Sequence, residues 1–193
     1  MHWENAKGVR TPPKINSQEN KDYYGPLLSD ECNTDIKKRI ARRLKVFSVK
    51  SEADLSNLVI EGAVTGERML DSDRKFLEKF TGLEVLAINE SGLKLIDNLP
   101  DLPSLMQLEL CYNEIERGLE HLHGKFPLLR ILKLRSNQIG ELDEVRHLKQ
   151  CSLLHYLDLY MCPVTEVPKY RRTVFEMLEQ ITTLDYRDRG DLD

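Results

Sequence analysis

Residues able to do chemistry are plentiful in this chain, but few stand at useful spacing. His121 and His123 flank Leu122. In a strand they would share a face and could take a metal. No third His or Cys stands at ligand spacing, and His147 and His155 are isolated in sequence, so all four read as surface histidines. The four cysteines, Cys32, Cys111, Cys151 and Cys162, include no C-x-x-C pair. That usage suits free thiols in a reducing compartment. The 32 acidic residues form no recognisable acid–base pair, and there is no G-x-S-x-G, P-loop or G-x-G-x-x-G. The expectation is a protein without enzymatic activity, cofactor or metal.

What remains is a surface, and a periodic scaffold must hold it. Leu105, Leu108, Leu110, Asn113 and Ile115 fit L-x-x-L-x-L-x-x-N-x-L, the leucine-rich-repeat signature. Leu83, Leu86, Ile88, Ser91 and Leu93 repeat it upstream. Downstream come Leu129, Leu132, Leu134, Asn137 and Ile139, then Leu154, Leu157, Leu159, Cys162 and Val164. A degenerate copy, Leu55, Leu58, Ile60 and Ala63, precedes them. The opening leucines of the four strong copies are 22, 24 and 25 residues apart. Period-two alternation in L-x-L sends both leucines to one face of a short strand. The Asn position starts the turn away from it, where a buried amide can bond backbone groups that the turn leaves unpaired. No repeat buries its leucines alone, so neighbours must stack and the ends need caps. The fold class is α/β, a leucine-rich-repeat solenoid.

Residues between the buried leucines then face the concave side. The candidate protein-binding face comprises Glu61, Asn89, Gln107, Glu109, Lys133, Arg135, Tyr156, Asp158 and Tyr160. Tyr156 and Tyr160 are the composition favoured at binding hot spots; they would equally serve to cover the sheet beside the cap. Ile96, Leu99 and Leu102, then Leu119, Leu122 and Phe126, then Leu142, Val145 and Leu148 should line the convex side. Pro100, Pro103 and Pro127 argue against long helices there.

Residues 1–33 are polar, carry Pro12, Pro13 and Pro26, and read as a disordered extension. The domain spans 34–193. A capping helix over 34–48 places Ile36, Ile40, Leu44 and Phe47 on one face. Its basic run, Lys37 to Lys45, reads first as the solvated face of a cap and second as a nuclear localisation or phosphate-binding signal. Repeats follow over about 55–166, with a short helix around Arg74–Phe80 stopped by Gly82. A C-terminal cap over 167–191 has a helix through Val174, Phe175 and Leu178, a short strand at Ile181–Leu184, and a polar tail from Arg187. No apolar run approaches the ~18 residues of a membrane span, and no secretory signal is expected. Residues 51–193 carry 26 acids against 17 Lys and Arg, a net charge of −9. Such a body favours basic partners and repels nucleic acid.

The chain resembles the acidic leucine-rich nuclear phosphoprotein family over roughly residues 36–191. The most specific stretch runs from Leu157 to Thr165, then through Tyr170, Arg171, Val174, Phe175, Leu178, Leu184 and Asp185 to Asp188 and Arg189. Leu99 to Leu102 and Gly118 to Glu120 also match. The resemblance implies a curved right-handed solenoid with a parallel sheet inside. It also implies a nuclear and cytoplasmic adaptor that binds histones, affects chromatin acetylation and apoptosis, and inhibits a serine/threonine phosphatase. Three features depart from the family. No Asp/Glu tail precedes Asp193, the 33-residue extension is atypical, and Pro168 and Lys169 replace a short polar or acidic pair. A structural subunit of a ribonucleoprotein is the alternative, since spliceosomal leucine-rich-repeat proteins look similar in repeat length and cap.

Leu110→Ala or Leu134→Ala should each cost about 2–5 kcal/mol, the loss of a buried leucine plus the cavity it leaves. Urea denaturation would measure it, and a cost under about 1 kcal/mol would remove these residues from the core.

Overall fold

The computed structural model describes residues 55–62 and 66–191. The extension over 1–33, the capping helix over 34–48 and Ala63 lie outside the described residues. Alternating leucines form strands β1 (Asn57–Glu61), β2 (Val85–Asn89), β3 (Gln107–Glu109), β4 (Ile131–Lys133) and β5 (Tyr156–Asp158). Two shorter strands follow, β6 (Thr183–Leu184) and β7 (Arg187–Asp188). They form one sheet in chain order. Strands β1 to β6 pair in parallel, and β7 returns antiparallel to β6. Leu58, Leu86, Leu108, Leu132, Leu157 and Leu184 stand level across it.

These leucines point into a core closed on its far side by the crossovers. Ile96, Leu99, Leu102, Leu119, Leu122, Phe126, Val145 and Leu148 are buried there, while Leu142 is only half-buried. The crossovers use short helices: α1 (Asp71–Leu77), α2 (Leu122–Lys125) and α3 (Leu142–Arg146), with single 3-10 turns at Leu119–His121 and His147–Gln150. Pro100 and Pro103 sit in the β2–β3 crossover, which has no helix, and Pro127 comes two residues after α2 ends. Helix α1 starts earlier than expected. It ends at Leu77, with backbone capping at Glu78, so Gly82 is not its stop.

Asn113 and Asn137 tie successive turns together. Asn113 accepts from the backbone N–H of Ser91 (2.9 Å) and Leu93 (3.2 Å), and donates to the carbonyls of Ile88 and Leu110 (2.8 and 2.9 Å). One repeat on, Asn137 accepts from Ile115 N–H (3.0 Å) and donates to the carbonyls of Leu110 and Leu134 (2.9 and 2.7 Å). Cys162 offers only a thiol to the Leu134 carbonyl, at 3.2 Å. The residue before this position lies in the left-handed region in every repeat: Gly62, Glu90, Tyr112, Ser136 and Met161 have φ between 54° and 62°.

Helix α4 (Tyr170–Met177) and the two last strands cap the solenoid. Arg189 was expected in a polar tail. Instead it donates to the carbonyls of Phe175, Leu178, Glu179 and Ile181 at 2.9–3.0 Å, and stacks on the Phe175 ring. These are carbonyls at and beyond a helix end, which otherwise lack partners. Arg171 donates to the Leu184 carbonyl, and Asp185 accepts from Leu159 N–H.

Asn113→Ala orphans several buried backbone groups at about 1–3 kcal/mol each. It should cost about 3–5 kcal/mol in urea denaturation, well above Cys162→Ala, and equal costs would refute the bridging role.

Candidate protein-binding face

The parallel register turns the sheet's open side into rows. Asn57, Val85, Gln107, Ile131, Tyr156 and Thr183 form one row; Val59, Ala87, Glu109, Lys133 and Asp158 form the next. Opposite charges at neighbouring positions in a row pair across strands. The Glu109 carboxylate accepts from Lys133 Nζ at 2.7 Å and from Gln107 Nε2 at 2.6 Å. Asn89 is committed as well, because its side-chain oxygen accepts from Cys111 N–H at 2.8 Å. Glu61 stands exposed at the start of the face.

The C-terminal half differs. Asp158 is fully buried, although its register places it on the open side. Its carboxylate accepts from Tyr160 N–H at 3.0 Å and lies 3.5 Å from Arg135 Nε. The Arg135 guanidinium sits 4.9 Å from the ring centres of both Tyr160 and Tyr186. Tyr186 in turn meets Tyr156 edge-to-face at 6.0 Å. Burial opposes the charge on Arg135, but Asp158 and the surrounding tyrosines outweigh it and its pKa is raised. Burial, reinforced by Asp158, pushes Tyr156 up to about 12. Tyr156 and Tyr186 therefore stay neutral at physiological pH, and the Arg135 guanidinium faces the Asp158 carboxylate among them.

Around this pair stands an apolar rim. Tyr112, Tyr160, Met161 and Tyr186 are each at least half exposed, at 50–63%. Of the sequence-derived candidates, the structure groups Arg135, Tyr156, Asp158 and Tyr160, and separately Gln107, Glu109 and Lys133. Tyr112, Met161 and Tyr186 were missed. Tyr112 and Met161 precede the turn-forming Asn113 and Cys162, where the left-handed backbone carries the side chain out of strand alternation. Tyr186 is delivered by the cap, also on left-handed backbone at φ 66°. The signal for the first two was in the pattern: a bulky residue immediately before the Asn position.

Among the described residues, burial suppresses the reactivity of the thiols. Burial, chiefly, pushes Cys111 up to about 12, and Cys151 and Cys162 to about 11. All three are free and buried. They are therefore protonated and shielded at neutral pH.

A family model described as leucine-rich repeat matches residues 77–189. The chain belongs to the leucine-rich-repeat family. This leucine-rich-repeat protein is similar to a chain in the crystal structure of the Drosophila melanogaster SNF/U2A' complex, at 27% identity and a TM-score of 0.61. That match covers 70% of this chain and 75% of the other. The Mex67 LRR domain from Chaetomium thermophilum is 23% identical over 45% of this chain and 59% of that one, with a TM-score of 0.38. The Chaetomium Mex67:Mtr2 subunits give 15%, 78% and 92%, with a TM-score of 0.47. The fold is that of a protein-interaction scaffold. Among the described residues no helix is long and apolar enough to cross a membrane.

The two acidic pairs should behave differently. Asp158→Ala strands Arg135 in a half-buried site and should cost about 2–4 kcal/mol, whereas Glu109→Ala, in a more exposed pair, should cost under about 1 kcal/mol. Thermal denaturation of both variants checks this, and equal losses would contradict the difference in burial.

Proposed function

We propose that this chain is a non-enzymatic adaptor that seats a basic partner protein, such as a histone, against the C-terminal half of its concave face. The observation that carries this reading is the rim of Tyr112, Tyr160, Met161 and Tyr186. Left-handed backbone costs a non-glycine residue roughly 1–2 kcal/mol. Gly62 occupies the equivalent position in the first repeat, yet Tyr112 and Met161 hold large exposed side chains there. Strain kept together with exposure is the pattern of a site used for contact. Tyrosine faces attract Lys and Arg side chains. The net −9 body would draw such a partner in from solution.

Glu109 and Asp158 are not the acids that would meet it, since both are held inside the chain. The exposed Glu90, on the left-handed position that follows β2, is better placed. Together with the resemblance in the cap, this supports an adaptor of the acidic leucine-rich nuclear phosphoprotein type, nuclear and cytoplasmic, acting on chromatin, apoptosis or a serine/threonine phosphatase. A second reading, a structural subunit of a ribonucleoprotein, is favoured by the likeness to a chain of the SNF/U2A' complex. There the partner would be an RNA-binding protein rather than RNA.

The test is binding of purified core histones by anisotropy at 0.15 M salt. Tyr112→Gly combined with Tyr160→Ala should weaken binding by at least about tenfold, the size of one hot-spot loss. Unchanged affinity would sink the platform reading. If the wild-type chain binds no histone and instead retains an RNA-binding protein after RNase treatment, the ribonucleoprotein reading replaces it.

The backbone argument has its own check. Met161→Gly should leave thermal stability unchanged or raise it by up to about 1 kcal/mol, because it relieves left-handed strain at an exposed position. A loss above about 1.5 kcal/mol would mean that Met161 is retained for packing.

A further inference from the structure

A cluster on the convex side brings together three metal-ligating side chains from two successive repeats. Glu120 belongs to the 3-10 turn Leu119–His121; Glu144 lies in α3 and His147 opens the turn after it. One ligand atom from each lies within 4.8 Å of the other two. We propose that Glu120, Glu144 and His147 form a Zn²⁺-binding site that staples these two repeats together.

The donor set fits. Zn²⁺ takes imidazole nitrogen and carboxylate oxygen at about 2.0–2.2 Å, and three protein ligands leave a fourth position for water. At such bond lengths tetrahedral ligands stand about 3.3–3.5 Å apart. Rotation of two exposed side chains, Glu120 and His147, is enough to close the gap. Glu144 and His147 are three residues apart, so they present to one side of the same helical segment. The third ligand comes from the preceding repeat.

Glu144 is the anchored member. One of its oxygens accepts from the backbone N–H of Gly118 (2.8 Å) and of Leu119 (2.7 Å). Its other oxygen is left to a cation, with the carboxylate already oriented, as outer-shell hydrogen bonds do in metal sites. The backbone that supplies these donors requires glycine. Gly118 has φ 110°, and a Cβ there would stand 2.9 Å from the Ile96 side chain.

The nearby cations are engaged only loosely with the two carboxylates. Arg117 donates to Glu116 at 2.9 Å and acts on Glu144 only by longer-range attraction, and His121 approaches Glu120 at 3.5 Å. Two carboxylates and an imidazole thus converge on a space that a divalent cation would fill. Reading along the chain left His147 isolated, because its partners are 3 and 27 residues away and only the stacking of repeats joins them.

The experiment is titration of the full chain with Zn²⁺ by calorimetry, with Co²⁺ substituted to read the coordination spectrum. Glu120→Gln, His147→Asn and a control, His155→Asn, are titrated alongside. The wild type and the control should bind one equivalent at the site and melt at a higher temperature with Zn²⁺. Each site variant should lose at least about tenfold in affinity, together with the thermal shift. Both site residues are exposed, so the metal-free variants should melt as the wild type does. Absence of binding to the wild type, or equal binding by all four proteins, would overturn the proposal. The readout involves no partner, so it is independent of the concave face.

Discussion

Everything in this molecule depends on the side-chain amides that bridge one turn to the next. Strands of three residues make few hydrogen bonds of their own, and each must be followed at once by a turn that leaves backbone groups without strand partners. Buried without partners, such groups would cost more than the short ladder returns. Asn113 and Asn137 remove that cost, since one amide reaches both its own turn and the turn before it. Where the chain replaces Asn, something else serves. Ser91 needs no amide because Asn113 reaches back to its N–H. Beyond Cys162 the cap takes over, and Asp185 accepts from Leu159 N–H at 2.7 Å. The ladder is directional: each repeat completes the one before it, and the last is completed by the cap.

The same in-register stacking governs the open side of the sheet. Because equivalent residues stand level, a charge in one repeat faces whatever the next repeat places there. Glu109 meets Lys133, and Asp158, level with Lys133, is reached diagonally by Arg135. The acidic surplus of the body is therefore displaced to the turns and crossovers, while the concave face is close to neutral and aromatic at its C-terminal end.

What could be read from the sequence follows from what is local. The leucine alternation, the Asn positions and the convex lining are all encoded by spacing within one repeat, and apart from the half-buried Leu142 each lies where the pattern placed it. The burial of Asp158 is not local: it needs Tyr186, delivered 28 residues later by the cap. Arg189 reads as tail because its carbonyl partners lie 8 to 14 residues upstream, at a helix end whose position is itself a packing outcome. Gly82 invited a role as helix stop on residue type alone, yet the chain leaves α1 five residues earlier, drawn by Phe80 and Leu83 into the core. The residues that carry the family resemblance, Tyr170, Arg171, Asp185 and Arg189 among them, are those that knit the cap. Their likeness speaks to how the solenoid is ended more directly than to what it binds.

The left-handed position before each Asn connects fold to function. It arises because the chain must reverse direction in one residue to bring the amide into the core, so the strain is imposed by the repeat itself. Glycine would meet it at least cost, and the first repeat uses one. Once the backbone is committed, however, the side chain there is pushed away from the core and toward the edge of the concave face, free of packing demands. The repeat thus offers one outward position per turn whose identity is decided by something other than stability. Glu90, Tyr112, Ser136 and Met161 fill four of them with four chemistries. The two bulky ones flank the buried Asp158 and its guanidinium partner, where the proposed partner would seat.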